Sequence, residues 1–333
     1  MTRALWLMAA ALPLAGPEGT PPKLLINAKV DTHSAAAGLE REFRPLLAAE
    51  PQPAWVGYTV PAAGGGQLGC ELVSPGGWYA PGVIHLEPPD HAVILFRVEA
   101  NAVSRIRALS PECEIDAGGD PVHWLTDVQP AESVALLVTF VPQRDVRGDG
   151  AVKVIALHAG PAADAALEKL VAPDQPESLR QRTVGWFGSA RGRRGFEVLK
   201  NLIASDPSEA VRERAISALA VSKEPEAADL LIATARSDHN PRLRAQAVAA
   251  LGRRSGPKTV ALIREVIEKD PDAQVRRRAV SALHALPDGE GIPPLIEVVK
   301  TTQNADVRKQ AMSSLAQSRD PRALSFLEDV LKR

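Results

Sequence analysis

Aromatic residues are scarce in this chain, 4% of 333 positions with only two tyrosines. There are also only two cysteines, Cys70 and Cys113, both in the first half, and three methionines. No Cys-x-x-Cys and no His-x-x-x-His occurs, so neither a zinc-finger site nor a helical pair of metal-binding histidines is encoded locally. The histidines and acids of the first half, His33, His85, His91 and His123 with Asp90 and Asp120, have no metal-ligand spacing. A phosphate loop is missing too: Gly64–Gly66 lacks the following lysine and helix opening. So is a nucleophile elbow. From the residues, no catalytic, cofactor-binding or metal-binding set is expected, and the chain reads as not an enzyme.

A long apolar run is equally absent. Arg3 precedes a short apolar core, Ala4–Ala15, followed by Gly16 and Pro17. Spanning a bilayer takes about 20 apolar residues, so no stable membrane anchor is expected. One positive charge, a short apolar core and small residues describe a signal peptide over 1–20, and an exported protein, periplasmic or secreted. Export leads to an oxidising compartment, where an even cysteine count permits a Cys70–Cys113 disulfide.

Charge is balanced overall but not along the chain. Residues 1–142 hold 8 Lys/Arg against 15 Asp/Glu, a net of −7, and residues 143–333 hold 31 against 25, a net of +6. Two units with different surfaces follow, and +6 is too small to point to nucleic acid.

What the second half has is a repeat. LRQRTVGWF from Leu179, VRERAISAL from Val211, LRAQAVAAL from Leu243, VRRRAVSAL from Val275 and VRKQAMSSL from Val307 recur every 32 residues. Val211, Ala215, Ile216 and Leu219 stand at i, i+4, i+5 and i+8, one stripe of a helix. A second helix repeats Leu199, Leu231, Ile263, Leu295 and Leu327, then Ile203, Ala235, Ile267, Val299 and Leu331. Pro225, Pro257 and Pro321 open it, with Gly289 in the fourth place, and Asp320 is a candidate N-cap. Each unit is therefore a helical hairpin that buries its stripes only by stacking on neighbours. About six units fill 145–333, the first degenerate.

These columns resemble HEAT repeats, specifically the short HEAT-like units of the phycobilisome-lyase type. The feature that carries the resemblance is an Asp six residues before the repeated Arg: Asp174 and Arg180, Asp206 and Arg212, Asp238 and Arg244, Asp270 and Arg276, with Thr302 breaking the pattern before Arg308. The resemblance implies a right-handed superhelix of hairpins with a ladder of these residues between adjacent units. It implies no activity. Lyases of that kind handle tetrapyrroles, but no pocket for one is marked here: the solenoid has no cysteine, and its aromatics are Trp186, Phe187, Phe196 and Phe326. HEAT hydroxylases carry iron on His-Glu pairs, whereas His158, His239 and His284 precede Ala, Asn and Ala.

Residues 23–142 read as a mixed α/β domain, so the fold class is α+β followed by an all-α solenoid. Strands are expected at Lys23–Val30, Trp55–Val60, Cys70–Val73, Val83–Leu86, Ala92–Val98 and Ala102–Leu109, the last two as a hairpin. Ser34 is placed as the cap of a helix through Leu39, Phe43 and Leu46, with Pro45 bending or ending it. The run Val134–Val141 is expected to cover the solenoid's first hairpin. The region resembles an uncharacterised segment that precedes HEAT repeats in exported bacterial proteins.

The turns between paired helices hold Arg191, Arg193, Arg194, Lys223, Arg253, Arg254 and Lys258. Turns of successive units align on one edge, so these charges form a ridge. It is either a solvated edge or a docking strip for an acidic partner or anionic polymer. The functional expectation is an exported scaffold binding a protein partner, with no nucleic acid. The alternative is an enzyme or small-molecule binder with its site in the first domain or at the domain interface.

Overall fold

The computed structural model describes residues 19–23, 25–64, 68–70, 89–143, 147–148 and 150–332. Residues 1–18 of the expected signal segment, His85, most of Cys70–Val73 and the whole of Val83–Leu86 lie outside them. The described residues fall into two compact units, drawn from 1–61 with 68–154 and from 62–67 with 155–333.

In the first unit the chain runs β1 (Leu25–Ile26), β2 (Lys29–Ser34), α1 (Leu39–Leu46), β3 (Ala54–Pro61), β4 (His91–Glu99), β5 (Ala102–Leu109), β6 (Ile115–Asp116), β7 (Pro121–Thr126), α2 (Pro130–Phe140) and β8 (Arg147–Gly148). Six strands make one mixed sheet in the order β2-β7-β3-β4-β5-β8, and β1 pairs with β6. The expected strand Lys23–Val30 is broken in two because Asn27 adopts a left-handed φ of 49°. The β4–β5 hairpin forms as expected, turning at Ala100 and Asn101, both with positive φ.

Alternation along each strand sends side chains to two faces. On one, α1 and α2 cover Tyr58 and Phe96, and Phe43 meets Phe96 edge-on at 5.0 Å between ring centres. The buried Tyr58 hydroxyl and Ser133 Oγ are 2.7 Å apart; burial pushes the phenol's pKa up. On the other face Val93, Leu95, Leu109, Val122 and Trp124 form a cluster with Cys113. Cys70 and Cys113 are bridged, with Cα atoms 5.1 Å apart. Gly57 is needed there, since a Cβ would stand 2.7 Å from Leu95 and 2.8 Å from Trp124.

Two expectations are corrected. Helix α1 starts at Leu39, not near Ser34, which ends β2; the Leu39 N–H donates to Glu132 Oε2 of α2 at 3.0 Å. That carboxylate satisfies a helix-start donor from outside the helix. Helix α2 packs on α1 and β3, so the run Val134–Val141 is part of the first unit and not of the solenoid unit.

The chain passes between units within α3 (Ala151–Leu157), and the second unit continues with α4 (Pro161–Leu170), α5 (Glu177–Ala190), α6 (Gly192–Ser205), α7 (Glu209–Leu219), α8 (Glu226–Ser237), α9 (Pro241–Leu251), α10 (Pro257–Lys269), α11 (Ala273–His284), α12 (Ile292–Thr301), α13 (Ala305–Gln317) and α14 (Pro321–Leu331). From α5 onward the helices pair as hairpins in the expected register. Val211, Ala215, Ile216, Leu219, Leu251, Leu283 and Leu315 are all fully buried. The first helices α7, α9, α11 and α13 are capped by one column, Ser208, Asn240, Asp272 and Asn304, whose side chains accept from backbone N–H groups of the first turn. At the last hairpin the stripe opens: Leu327 is half-buried and Leu331 is 86% exposed.

Candidate functional site

Between neighbouring hairpins, polar side chains form rungs. The Arg244 guanidinium makes a two-pronged bond to the Asp270 carboxylate of the next hairpin, Nε to Oδ2 at 2.8 Å and Nη2 to Oδ1 at 3.0 Å. Its Nη1 donates to the Asp238 carbonyl at 2.9 Å. Arg180 is likewise bonded to Asp206 and is almost fully buried. The ladder thus joins Arg to the Asp 26 residues later. At Arg212, Arg244 and Arg276 the Asp six residues earlier, which the sequence offered as partner, supplies its backbone carbonyl, whereas Arg180 donates its Nε–H to the Val171 carbonyl at 2.9 Å. Asp270 Oδ1 also accepts from the Asp272 N–H at 2.9 Å, holding the carboxylate in place. The bond to Asp270 pushes the Arg244 pKa up.

Not every rung is filled. Arg212 contacts the Asp206 carbonyl, and no ion pair joins it to Asp238. Arg276 is the more informative case. Its Nη1 donates to the Asp270 carbonyl at 2.6 Å, as Arg244 does to Asp238. The residue in the Asp270 place is Thr302, whose hydroxyl accepts from the Asn304 N–H at 3.2 Å. Thr302 keeps the turn but supplies no carboxylate, and the buried Arg276 Nε has no hydrogen-bond partner.

The same groove appears at both rungs, shifted by one repeat. At Arg244 it is lined by Ala235, Arg236, Val266, Lys269 and Asp270 and has a volume of about 220 Å³. At Arg276 it is lined by Ile267, Glu268, Val298, Thr301 and Thr302 and has about 510 Å³. In the second groove Ile267 stands in the place of Ala235, and Thr301 and Thr302 in the places of Lys269 and Asp270.

The seven basic turn residues divide. Arg191 is buried: its side chain is 5% exposed, it pairs with Asp164 at 2.6 Å, and its Nη1 donates to the His158 carbonyl at 2.6 Å. Arg254 Nη1 donates to the carbonyls of Leu219, Ala220 and Ser222, the end of the preceding hairpin's first helix. These two are fasteners between hairpins. Arg193 bonds Glu197 and Glu226 and lies over the Phe196 ring, Arg194 bonds Glu168, and Lys258 stands 3.5 Å from Asp229; all three remain exposed. Lys223 and Arg253 are exposed, and no ion pair engages them among the described residues.

In the first unit, sheet pairing assembles a group that sequence spacing hid. Asp31 and His33 are two apart on β2 and so share a face; Asp31 lies opposite His123 on the parallel strand β7. His33 Nε2 is 3.3 Å from His123 Nδ1 and 3.2 Å from Asp31 Oδ2, and the three ligand atoms lie within 4.8 Å of one another. One nitrogen carrying at most one proton faces two partners, so a single hydrogen cannot serve both contacts. Burial, then the neighbouring His33, holds His123 below the ordinary histidine pKa, which favours the neutral ring. The other sequence candidates do not join them: His91 bonds its neighbour Asp90 at 2.9 Å, and Asp120 bonds Arg97 at 3.1 Å. Alternation of β2 was the signal that could have found Asp31 with His33; nothing local pointed to His123.

Against known proteins, a family profile described as HEAT repeats matches residues 196–284 and 260–333. No curated protein matches the chain by sequence. Among solved structures, the complex of CpcE and CpcF of phycocyanin lyase from a Nostoc species is similar, with 20% identity and a TM-score of 0.35 over 45% of this chain and 98% of that one. Human deoxyhypusine hydroxylase in complex with glycerol is also similar, with 16% identity and a TM-score of 0.26 over 60% of this chain and 90% of that one. Among the described residues, no helix is long and apolar enough to cross a membrane.

Proposed function

We propose that this chain, whose C-terminal part is built of HEAT repeats, is an exported scaffold that binds a protein partner through its solenoid and performs no reaction of its own. The observation that carries the reading is the division among the turn cations. The fold uses Arg191 and Arg254 as internal fasteners but leaves Lys223 and Arg253 exposed and unneutralised on the turns. Arg193, Arg194 and Lys258 add exposed charge shared with acids. Exposed cations of this kind steer an acidic surface and lose their pull as salt rises. Replacing Arg193, Arg194, Lys223 and Arg253 by Ser is expected to leave the unfolding midpoint unchanged. Capture of the partner from the envelope fraction of the source cells falls, most at low salt. Equal capture by both proteins at every salt concentration removes the strip from the reading. N-terminal sequencing of the mature protein tests export: loss of about the first 15–20 residues is expected for a cleaved signal, and an intact Met1 opposes it.

A second reading is favoured by the group on β2 and β7: the first unit holds a transition-metal ion on Asp31, His33 and His123. Bonds of about 2.0–2.1 Å in a tetrahedral site set neighbouring ligand atoms about 3.3–3.4 Å apart. The two contacts of His33 Nε2 have that spacing, at 3.3 and 3.2 Å. One cation would meet all three lone-pair donors, which one proton does not. Zinc titration by calorimetry tests it: a one-to-one complex lost on His33→Gln and on His123→Gln is expected, and the same heats in both variants defeat it.

A further inference from the structure

The rung at Arg276 is the place where the repeat departs from its own rule. Two arginines of the column, Arg180 and Arg244, are engaged by a carboxylate from the next hairpin. At Arg276 the guanidinium is set by the same carbonyl bond, so it is oriented as Arg244 is, but its Nε–H is buried and has no acceptor. A buried donor without an acceptor costs more than an exposed one, and a guanidinium fork matches a carboxylate in two parallel bonds. Arg276 lines a groove of about 510 Å³, more than twice the volume of the one at Arg244.

We propose that this groove binds one carboxylate, supplied by an acidic side chain of a partner protein, in the place that Asp270 occupies at Arg244. The inference rests on the reading of the solenoid as a partner-binding scaffold. The lining decides the class of ligand. Glu268 stands at the rim where the filled groove has Arg236, so one cation and one anion face the groove. The Glu268 carboxylate repels a doubly charged phosphate or a polyanion more strongly than it repels a single carboxylate. Ile267 and Val298 supply an apolar wall, which suits the methylene and backbone of a polypeptide around the carboxylate rather than a small free acid.

Replacing Thr302 by Asp restores the missing rung and so closes the site, and a carboxylate there can accept the Asn304 N–H as Asp270 accepts that of Asp272. The full-length ¹⁵N-labelled protein is titrated with N-acetyl-aspartate methylamide, with acetate and with inorganic phosphate, following the Nε–Hε resonance of Arg276, identified by its loss in Arg276→Lys. A saturable shift is expected with the blocked aspartate, at least tenfold tighter than with acetate and absent with phosphate. In Thr302→Asp the resonance is expected already shifted in the free protein and unresponsive, with a raised unfolding midpoint. In Glu268→Gln the free-protein resonance is expected unchanged. The proposal is overturned if the blocked aspartate gives no shift, if Thr302→Asp binds it as the parent does, or if Glu268→Gln alone moves the resonance, since Glu268 then already fills the rung. Equal affinity for acetate overturns the assignment to a protein side chain, and equal affinity for phosphate overturns the assignment to a carboxylate. A failed titration leaves the turn strip standing, because the variant with Arg193, Arg194, Lys223 and Arg253 replaced by Ser is read by capture and not by this resonance.

Discussion

At the scale of single residues, the solenoid's arginines carry one charge and three different duties. Arg244 is a rung, Arg254 a fastener and Arg253 a surface cation, and what separates them is the acceptor within reach. Removing the Arg244 side chain leaves the Asp270 carboxylate, 5% exposed, without its guanidinium. Breaking a buried pair from one side costs about 3–5 kcal/mol, and the retained Asp272 N–H bond puts this case near the lower end. Arg244→Met is therefore expected to lower the urea midpoint clearly, and Arg244→Met with Asp270→Asn to recover part of the loss; a double-mutant cycle in urea checks both. Asp320 offers a pH handle. Its hydrogen bonds with Arg322, first from the side chain and then from the backbone N–H, hold its pKa down at about 2, from 3.8. A carboxyl depressed in the folded state contributes stability above its unfolded value and loses it as pH falls toward 2. The Asp320 carboxyl carbon is expected to titrate near 2 by NMR, and Arg322→Ala to move that midpoint upward.

At the scale of elements, close approach of helices decides which small residues are interchangeable. Two glycines of α5 make the contrast. A Cβ on Gly188 would stand 2.1 Å from the carbonyl oxygen of Ala218 on α7, a backbone atom that moves only if the hairpins part. A Cβ on Gly185 would meet the Nη2 end of Arg214 at 2.9 Å, a flexible tip that swings aside. Gly188→Ala is expected to destabilise by about 1–3 kcal/mol through overpacking. Gly185→Ala is expected to stabilise by up to about 1 kcal/mol through helix propensity. Thermal unfolding of the two variants reads opposite signs. Such elements were legible where the code is local. The 32-residue columns announced the hairpins, and Asp320, the expected N-cap, accepts from the Arg322 N–H at the start of α14. The start of α1 was misread because its first N–H finds Glu132, 93 residues away. Sequence spacing does not report a cap supplied by another helix.

At the scale of the molecule, the two units are held by different means. The solenoid propagates one local contact set from hairpin to hairpin, as repeats do. The sheet unit joins distant segments: β2 pairs with β7, and Cys70 is tied to Cys113 across 43 residues. Closing a loop of that length contributes about 4 kcal/mol in the chain-entropy model. Cys113 is 1% exposed within the apolar cluster, so its replacement also disturbs packing. Cys70→Ser with Cys113→Ala is expected to speed amide exchange in β4, β5 and β7 by at least tenfold; unchanged protection there defeats the claim.

From sequence alone followed what repeats or alternates over a few residues: the hairpins and their register, the buried columns and the β4–β5 hairpin. These depend on neighbours along the chain, and periodicity records them directly. Tertiary structure alone decided which groups face each other. It paired Arg244 with Asp270 rather than Asp238, turned Arg191 and Arg254 inward, and left Arg276 opposite a threonine. It also brought His123 beside Asp31 and His33. The physical reason is one of range: a helix or strand is specified within a turn or a pleat, whereas a hydrogen bond is specified by a distance near 3 Å, and only the packed chain sets that distance between residues 26 or 90 positions apart.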